Sequence, residues 1–525
     1  MKTYREYQPR QGFLLPPSPL DWLPADHLAY FILETVAQLD LSGITAYYER
    51  ERRGYPPHDP RMMTALLLYA YCVGVPSSRK IETRTHEDIA FRVLAGNTHP
   101  DHSCISEFRR IHLDALAALF VQVLKLCQRM GLVKLGVVAL DGTKLKASAS
   151  KHKAMSLARM KEEQARLEKK VAELLAAAEA ADAQEDAQYG KHRRGNELPD
   201  ELRHAQSRLA RIRAAQAELE AEAAAQAIEK VESQTEDAQA DAVLDEMARI
   251  EAAAALTQKK KESSDSDDDP KPPLTPAELP KNRIPVDKTG TPKSTAQRNF
   301  TDADSRIMRD KGAFVQGYNG QLAVDAEHQI IVAAELSNQA PDVEYFIPML
   351  DQVLVNCEQI PEAALADAGY FSDANVRRAH ARGVDAYIAP ARTPHGEKEP
   401  PLDGKCTASA MKETMRAKLH TEVGDALYRR RKAIVEPVNG QIKNRGLGTL
   451  SLRGLPKARG EWSLIALTHN LLKLHKARRA PRRPPPVPAA TAATTLFPAL
   501  SQLAALVPAL FSCTPAPQML TATSS

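Results

Sequence analysis

Six cysteines in 525 residues are few, and they are scattered (Cys72, Cys104, Cys127, Cys357, Cys406, Cys513), with no CxxC pair and no zinc-like grouping. That spacing gives no grounds for a disulfide framework or a structural zinc, and it points to reduced thiols in a cytosolic setting. The opening MKTYREYQPRQG lacks the apolar run of a secretory signal, so the expected compartment is cytoplasmic. Excess charge is missing too: a net +4 on this length does not demonstrate a polyanionic partner, and any basic surface has to be sought locally. The apolar stretch from Ala489 to Cys513 is broken by Pro498 and Pro508 and rich in Thr and Ser. It reads as a low-complexity tail, and no membrane partner is expected.

What is present is a 43% hydrophobic composition on a chain longer than one core usually organises, so two or three domains are expected. Residues 1–130 read as a helical, DNA-binding domain: RMMTALLLYAYCV is one apolar helix, and SCISEFRRIHLDALAALFVQVLKLCQRM is a single long amphipathic one ending at Gly131. Arg79, Lys80, Arg84, Arg92, Arg109 and Arg110 are cations that could contact phosphates there, or simply an ordinary solvated face. Residues 153–262 are rich in Ala, Glu, Lys, Arg and Gln, with a polar break at YGKHRRGN, and predict a helical hairpin. A charged, Pro-rich connector over 263–299 is expected to be disordered, and so is a tail over 476–525.

Between these lie strand-like runs. LGVVAL stops at Asp141-Gly142, which predicts a buried strand ending in a turn; FVQGYNGQLAVD and QIIVAAELS predict a hairpin; AALAD ends at Asp367; VDAYIAP is a last strand. With helices near 343–355 and 373–382, residues 131–152 and 300–475 make a mixed α/β domain interrupted by the hairpin.

Asp141 and Asp367 therefore close apolar strands, and strand ends are where side chains converge on ligands in α/β sheets. Either Asp alone is ordinary turn chemistry. The third carboxylate shifts the balance: from Arg429 to Arg459 there are nine Lys or Arg and one acid, Glu436. Such a one-signed stretch suits a phosphate backbone better than a solvated helix face. Carboxylates of this kind hold Mg²⁺, and two hard cations about 3.5–4 Å apart stabilise both oxygens exchanged in phosphoryl transfer. Glu436 and Lys443, seven apart, share one helical side, and Pro437 predicts that Glu436 opens a helix.

Six ordered blocks carry a family resemblance: LDGTKLKASAS from Leu140, DADSRIM from Asp302, QGYNGQLAVD from Gln316, LADAGYFSDANV from Leu365, YRRRKAIVEPVNGQIKNRG from Tyr428 and EWSLIALTHNLLKL from Glu461. Together they resemble the DDE transposases of bacterial insertion sequences, specifically the insertion sequence 1182 type in the Tyr-Arg-Glu-Lys group. The resemblance implies a ribonuclease H-like catalytic domain in which Asp141, Asp367 and Glu436 hold two Mg²⁺ ions, with Mn²⁺ able to substitute. It also implies that Tyr428, Arg431 and Lys443 contact the DNA end, and Lys144 and Arg445 are placed with them as DNA-binding residues. The implied partners are double-stranded DNA, as terminal inverted repeats and as target, and a second copy in a homodimer. Asn439 departs from the pattern, standing where the family usually has an aromatic, and the spacing from Tyr428 to Glu436 is one residue longer than the commonest. The hairpin is expected to be structural or dimer-forming, with Lys191, His192, Arg193 and Arg194 available to clamp DNA. The competing readings are a nuclease or resolvase on the same fold, a catalytically silent DNA-binding derivative, and a coiled-coil scaffold. The scaffold leaves the carboxylates unexplained.

Overall fold

Asp59 and Pro60 begin the most apolar helix of the N-terminal region, Asp59 accepting from the backbone N–H groups of Arg61 and Met62 and Pro60 filling a position that needs no donor. In the computed structural model, which describes residues 21–50, 56–189, 201–228, 283–310, 312–391 and 410–479 together with 277, 279 and 280, this helix is the third of seven: α1 (Leu28–Val36), α2 (Ser42–Glu49), α3 (Pro60–Cys72), α4 (Ser78–Glu87), α5 (Ile89–Leu94), α6 (His102–Ile111) and α7 (Leu113–Arg129). The single long helix expected over 103–130 is in fact α6 and α7, bent by 71°. At the bend His112 is buried, and its Nε2 lies 3.0 Å from the Tyr48 hydroxyl, so a tertiary contact overrides the helical periodicity. Among the described residues no single helix is long and apolar enough to cross a membrane. The questioned stretch from Ala489 lies outside them.

Apolar β-branched segments build a six-stranded sheet from β1 (Val137–Lys146), β4 (Arg306–Asp310), β5 (Ala313–Asp325), β6 (Ile331–Ser337), β7 (Ala363–Ala366) and β8 (Asp385–Ile388). The central order is β6, β5, β1, β7, β8, with β5 antiparallel to β1 and β6, and β1, β7 and β8 mutually parallel. This mixed α/β sheet is the ribonuclease H-like arrangement. Helices α10 (Phe346–Cys357) and α11 (Asp373–Ala381) connect its later strands, and α12 (Ala410–His420), α13 (Glu422–Ile442) and α14 (Leu455–Arg479) follow.

The hairpin insertion appears as α8 (Leu157–Tyr189) and a helix α9 over 201–228, returning antiparallel. Its own small core joins Leu157, Met160 and Leu167 to Leu209, Ile212 and Leu219. Lys191, His192, Arg193 and Arg194 lie outside the described residues. At the root, β2 (Ala154–Ser156) pairs antiparallel with β3 (Gln297–Asn299). The connector expected over 263–299 is thus built structure in its last part: Ile284 and Ala296 are buried in the hairpin core, and Arg298 pairs with Glu218 and Glu222. Its Pro-rich and acidic composition hid a short strand whose partners lie far away in sequence.

One continuous core runs from α1 to α14 through the sheet, so the boundary near residue 130 separates elements and not hydrophobic cores. Helix α14 lies between α3 and α7 on one side and β6 on the other. Asn470 binds the edge of β6 as a neighbouring strand would, accepting from Ile331 N at 2.9 Å and donating to Ile331 O at 2.8 Å.

Candidate active site

Strand β1 does not end at Asp141-Gly142. Its antiparallel ladder with β5 continues through Asp141↔Leu322 to Lys146↔Gly317. Gly317 permits this, because a Cβ there would lie 2.1 Å from the Leu145 carbonyl oxygen. The parallel ladder on the other side has Val137↔Ala363, Val138↔Ala364 and Ala139↔Leu365 as its rungs. Continuing that count sets Asp141 level with Asp367. The two carboxylates thus face each other where β7 gives way to a 3₁₀ turn, Ala368–Tyr370, which Asp367 caps by accepting from Gly369 N at 2.9 Å.

Glu436 does not open a helix. It lies exposed inside α13, with Pro437 following it in the helix interior. Proline cannot donate to the carbonyl four residues back, which is that of Ala433. Gln329, in the turn between β5 and β6, donates its side-chain amide to that carbonyl at 3.0 Å. The orphaned acceptor is satisfied from another element, and the helix continues.

Asn439, one turn beyond Glu436, donates from Nδ2 to Asp141 Oδ2 at 3.0 Å and so ties α13 to β1. The residue that breaks the family pattern is a ligand of the first carboxylate. Asp141 has its pKa pushed up to about 6, first by burial and then by the like charges of Asp367, Asp342 and Glu436, while Arg431 pulls the other way. Arg431 is buried and its guanidinium lies 5.9 Å over the Tyr428 ring, so both sit inside the site and do not form an open face. Lys144 is also drawn in: its Nζ donates to Ala340 O at 2.9 Å and lies 3.7 Å from Asp342 Oδ1. Burial pushes this ammonium down, against the pull of Asp342.

The other cations divide. Lys443 begins a π-turn, Lys443–Leu447, two turns past Glu436. Arg445 turns away from the carboxylates: its guanidinium nitrogens Nη1 and Nη2 are buried, and its carbonyl packs on Gly74, just past the end of α3, where a Cβ would lie 2.1 Å away. Arg109 is likewise taken inside, donating to the Tyr71 hydroxyl at 3.0 Å and to Pro76 O at 2.7 Å. It is unavailable to phosphates, unlike exposed Arg79 and Lys80.

Sequence reasoning missed Asp342, Asn319, Gln321 and Tyr370. Asn319 and Gln321 each donate to Asp342 Oδ1 at 2.7 Å, and the buried Tyr370 hydroxyl bonds Gln321. The rule that found Asp367 could have found Asp342, which follows β6 in NQAPD just before the turn into α10.

The donor set suits a hard divalent cation: carboxylate oxygens crowded around one half-buried Asp, together with buried amide oxygens of Asn439 and Asn319 that have no hydrogen-bond partner. Asp141, Asp367 and Glu436 do not close to within 4.8 Å of one another, as uncompensated like charges would not. Among the described residues the group that does is Glu82, Asp101 and His102 in the N-terminal helices. There Glu82 pairs with His102 at 2.8 Å, and Asp101 caps α6.

A ribonuclease H-like sheet with carboxylates gathered at its centre defines the class of phosphoryl-transfer enzymes that act on nucleic acid. Residues 278–471 match the transposase DDE domain family, and residues 17–110 match a second family described as a transposase domain. The chain belongs to the DDE transposases. No curated protein and no solved structure matches it. The DDE match starts beyond the hairpin, so Asp141 lies outside both matched segments and joins the domain through the pairing of β1 with β5 and β7.

Proposed function

We propose that this transposase, of the insertion sequence 1182 type, cleaves the phosphodiester at the ends of its element and joins the freed 3′-hydroxyl to target DNA, with Asp141, Asp367 and Glu436 as the catalytic carboxylates. The observation that carries the reading is the level register of Asp141 and Asp367, with α13 bonded to Asp141 through Asn439. The three carboxylates would hold two Mg²⁺ ions, or Mn²⁺ in their place. Bound there, the cations neutralise charge on the phosphate and activate the attacking oxygen.

The chain's own groups set the geometry. Asn439 fixes Asp141 Oδ2 and leaves the other oxygen to the site. Arg431 offsets part of the carboxylate charge from within the fold. Tyr428 and Lys443, on the same helix as Glu436 or at its end, would meet the DNA end, and exposed cations of the stretch from Arg429 to Arg459, such as Lys432 and Lys457, would follow its backbone. The work of these groups is positioning and charge stabilisation, as in other phosphoryl transfers. A homodimer would bring two ends together, with the hairpin as the self-association element; light scattering of a hairpin-deleted chain that kept its oligomeric state would refute that part.

The test is a cleavage and strand-transfer assay on oligonucleotides carrying the ends that flank the gene, with Mg²⁺ or Mn²⁺, comparing wild type with Glu436→Ala. Joined products from wild type only are expected. Cleavage without joining would make the protein a nuclease, and binding without either would make it a silent derivative.

A further inference from the structure

Two glycines follow the first two site carboxylates, in Asp141-Gly142 and Asp367-Ala368-Gly369. Neither is needed for a left-handed backbone, since neither has a positive φ. What both leave room for is a fourth carboxylate. A Cβ on Gly142 would lie 2.6 Å from Asp342 Oδ1, and one on Gly369 would lie 3.4 Å from Asp342 Oδ2 and 3.0 Å from Asp367 Oδ1. Asp342 Oδ2 and Asp367 Oδ1 therefore flank one small space above Gly369.

Asp342 is also held as a ligand would be. Its Oδ1 accepts from Asn319 Nδ2 and Gln321 Nε2, each at 2.7 Å, and Lys144 Nζ stands 3.7 Å away. Asn319 is fully buried, and its own Oδ1 has no hydrogen-bond partner, so an oxygen donor beside Asp342 is left unsatisfied by the protein. Gln321 is fixed in turn by the buried Tyr370 hydroxyl. Four side chains from β1, β5 and the turn after β7 thus orient one carboxylate that the catalytic triad does not include. Outer partners that lock a liganding oxygen in this way are a recurrent feature of cation sites.

We propose that Asp342 belongs to the cation-holding set of this site, its Oδ1 locked by Asn319 and Gln321 and its Oδ2 presented beside Asp367 to the same divalent ion. The inference rests on the reading of Asp141, Asp367 and Glu436 as a divalent-cation site. Locking one oxygen by neutral amides leaves the full negative charge of the carboxylate available to a cation. It also explains why a lysine approaches so acidic a cluster: Lys144 balances Asp342 when no ion is bound.

The test is Mn²⁺ binding to the full-length, DNA-free protein, read from loss of the free-ion signal in electron paramagnetic resonance titrations. Asp342→Asn keeps an oxygen that can accept from Asn319 and Gln321 but removes the charge, and it is expected to weaken Mn²⁺ binding by about 10–100-fold. Glu344→Gln, which removes one negative charge two residues away that is already paired with Arg283, is expected to stay within about twofold of wild type. Equal affinities for Asp342→Asn and wild type, or equal losses in Asp342→Asn and Glu344→Gln, would overturn the proposal. If Asp342→Asn does not fold by circular dichroism, Asp342→Ser is titrated in its place under the same criteria. Should Asp367→Asn weaken binding while the Asp342 variants do not, only this inference fails. Should wild type bind no Mn²⁺ at all, the reading of the triad as a cation site fails with it.

Discussion

The side-chain amide of Gln329 lies 3.0 Å from the carbonyl oxygen of Ala433, the acceptor that Pro437 leaves without its helical donor. Gln329 adopts φ 58° in the β5–β6 turn, and it is held there by His469 Nε2 on its carbonyl at 3.0 Å and by Lys473 Nζ on its side-chain oxygen at 2.7 Å. The position of Glu436 is therefore set partly by a turn more than a hundred residues earlier. Gln329→Leu is expected to cost about 1 kcal/mol of stability, and to lower cleavage by more than the folded fraction falls. Pro437→Ala, which restores the helical donor, is expected to raise Tm while lowering cleavage. Thermal melts beside single-turnover cleavage check both, and unchanged cleavage in both variants would show that the Gln329–Ala433 bond does not place Glu436.

Replacing Asp141 or Asp367 by Asn, or Glu436 by Gln, is expected to reduce cleavage by at least about 10³-fold with end binding retained, because the loss falls on transition-state charge stabilisation. Gel-shift and cleavage assays on the same preparations separate the two effects. Loss of binding in step with cleavage would point to misfolding.

Asp141 carries a pH signature. Its folded pKa of about 6 stands above the ordinary value of 3.8, so the folded protein binds that proton more tightly than the unfolded chain does. The contribution to stability is present at low pH and is lost as pH rises from about 4 through about 6, amounting to about 2–3 kcal/mol. In metal-free buffer Asp141→Asn should flatten the stability profile across that window. With Mg²⁺ present, the cation competes with the proton, and its apparent affinity should fall as pH drops below about 6. Chemical denaturation across pH, with and without Mg²⁺, measures both.

His469 works in the opposite sense. Burial depresses its pKa to about 3, and the neutral ring donates to Gln329 O. Stability held above pH 6.5 is lost as pH falls from there toward 3, by on the order of a few kcal/mol. His469→Gln should remove that slope, and denaturation midpoints between pH 4 and 7 test it.

Tyr71, Glu461 and Arg109 join the N-terminal helices to α14. The Tyr71 hydroxyl donates to Glu461 Oε1 at 3.0 Å, and Glu461 Oε2 accepts from Ser451 N at 2.8 Å and Leu452 N at 2.9 Å. Tyr71→Phe should cost about 1–2 kcal/mol and Glu461→Ala about 3–5 kcal/mol, since the latter takes away the acceptor of three donors, the Tyr71 hydroxyl and the Ser451 and Leu452 N–H groups. Because the core is continuous, both should shift one cooperative unfolding transition, and two separated transitions would contradict the shared core.

The apolar runs were legible because their periodicity is local: α3, the β5–β6 hairpin turning after Asp325, β7 stopping before Asp367, and β8 all fall where their patterns place them. What the pattern concealed depends on distant partners. β1 runs past Asp141-Gly142 because β5 continues beside it, and the DG turn signal is overruled by that ladder. Glu436 sits mid-helix because Gln329 supplies what Pro437 removes. Asp342 was passed over although the strand-end rule reaches it, and its place in the site shows only in the folded chain, where Gly142 and Gly369 make space for it. Arg109 and Arg445 read as surface cations until packing turned them inward.

The short β2–β3 pairing gives the insertion a closed mouth: Met155 meets Arg298 across it, and the hairpin buries a core of its own beyond it. For the chain entropy of folding, the stretch between β1 and β5 then behaves as a short loop whatever its contour length, because closure has already been achieved at the root. During synthesis β1 emerges long before β5 and must wait with an unpaired apolar edge. The hairpin can fold meanwhile and hold the two ends of the interrupted sheet within reach. The insertion is thus free to lengthen or shorten over evolution at almost no cost to the catalytic sheet, provided its two-stranded root is kept.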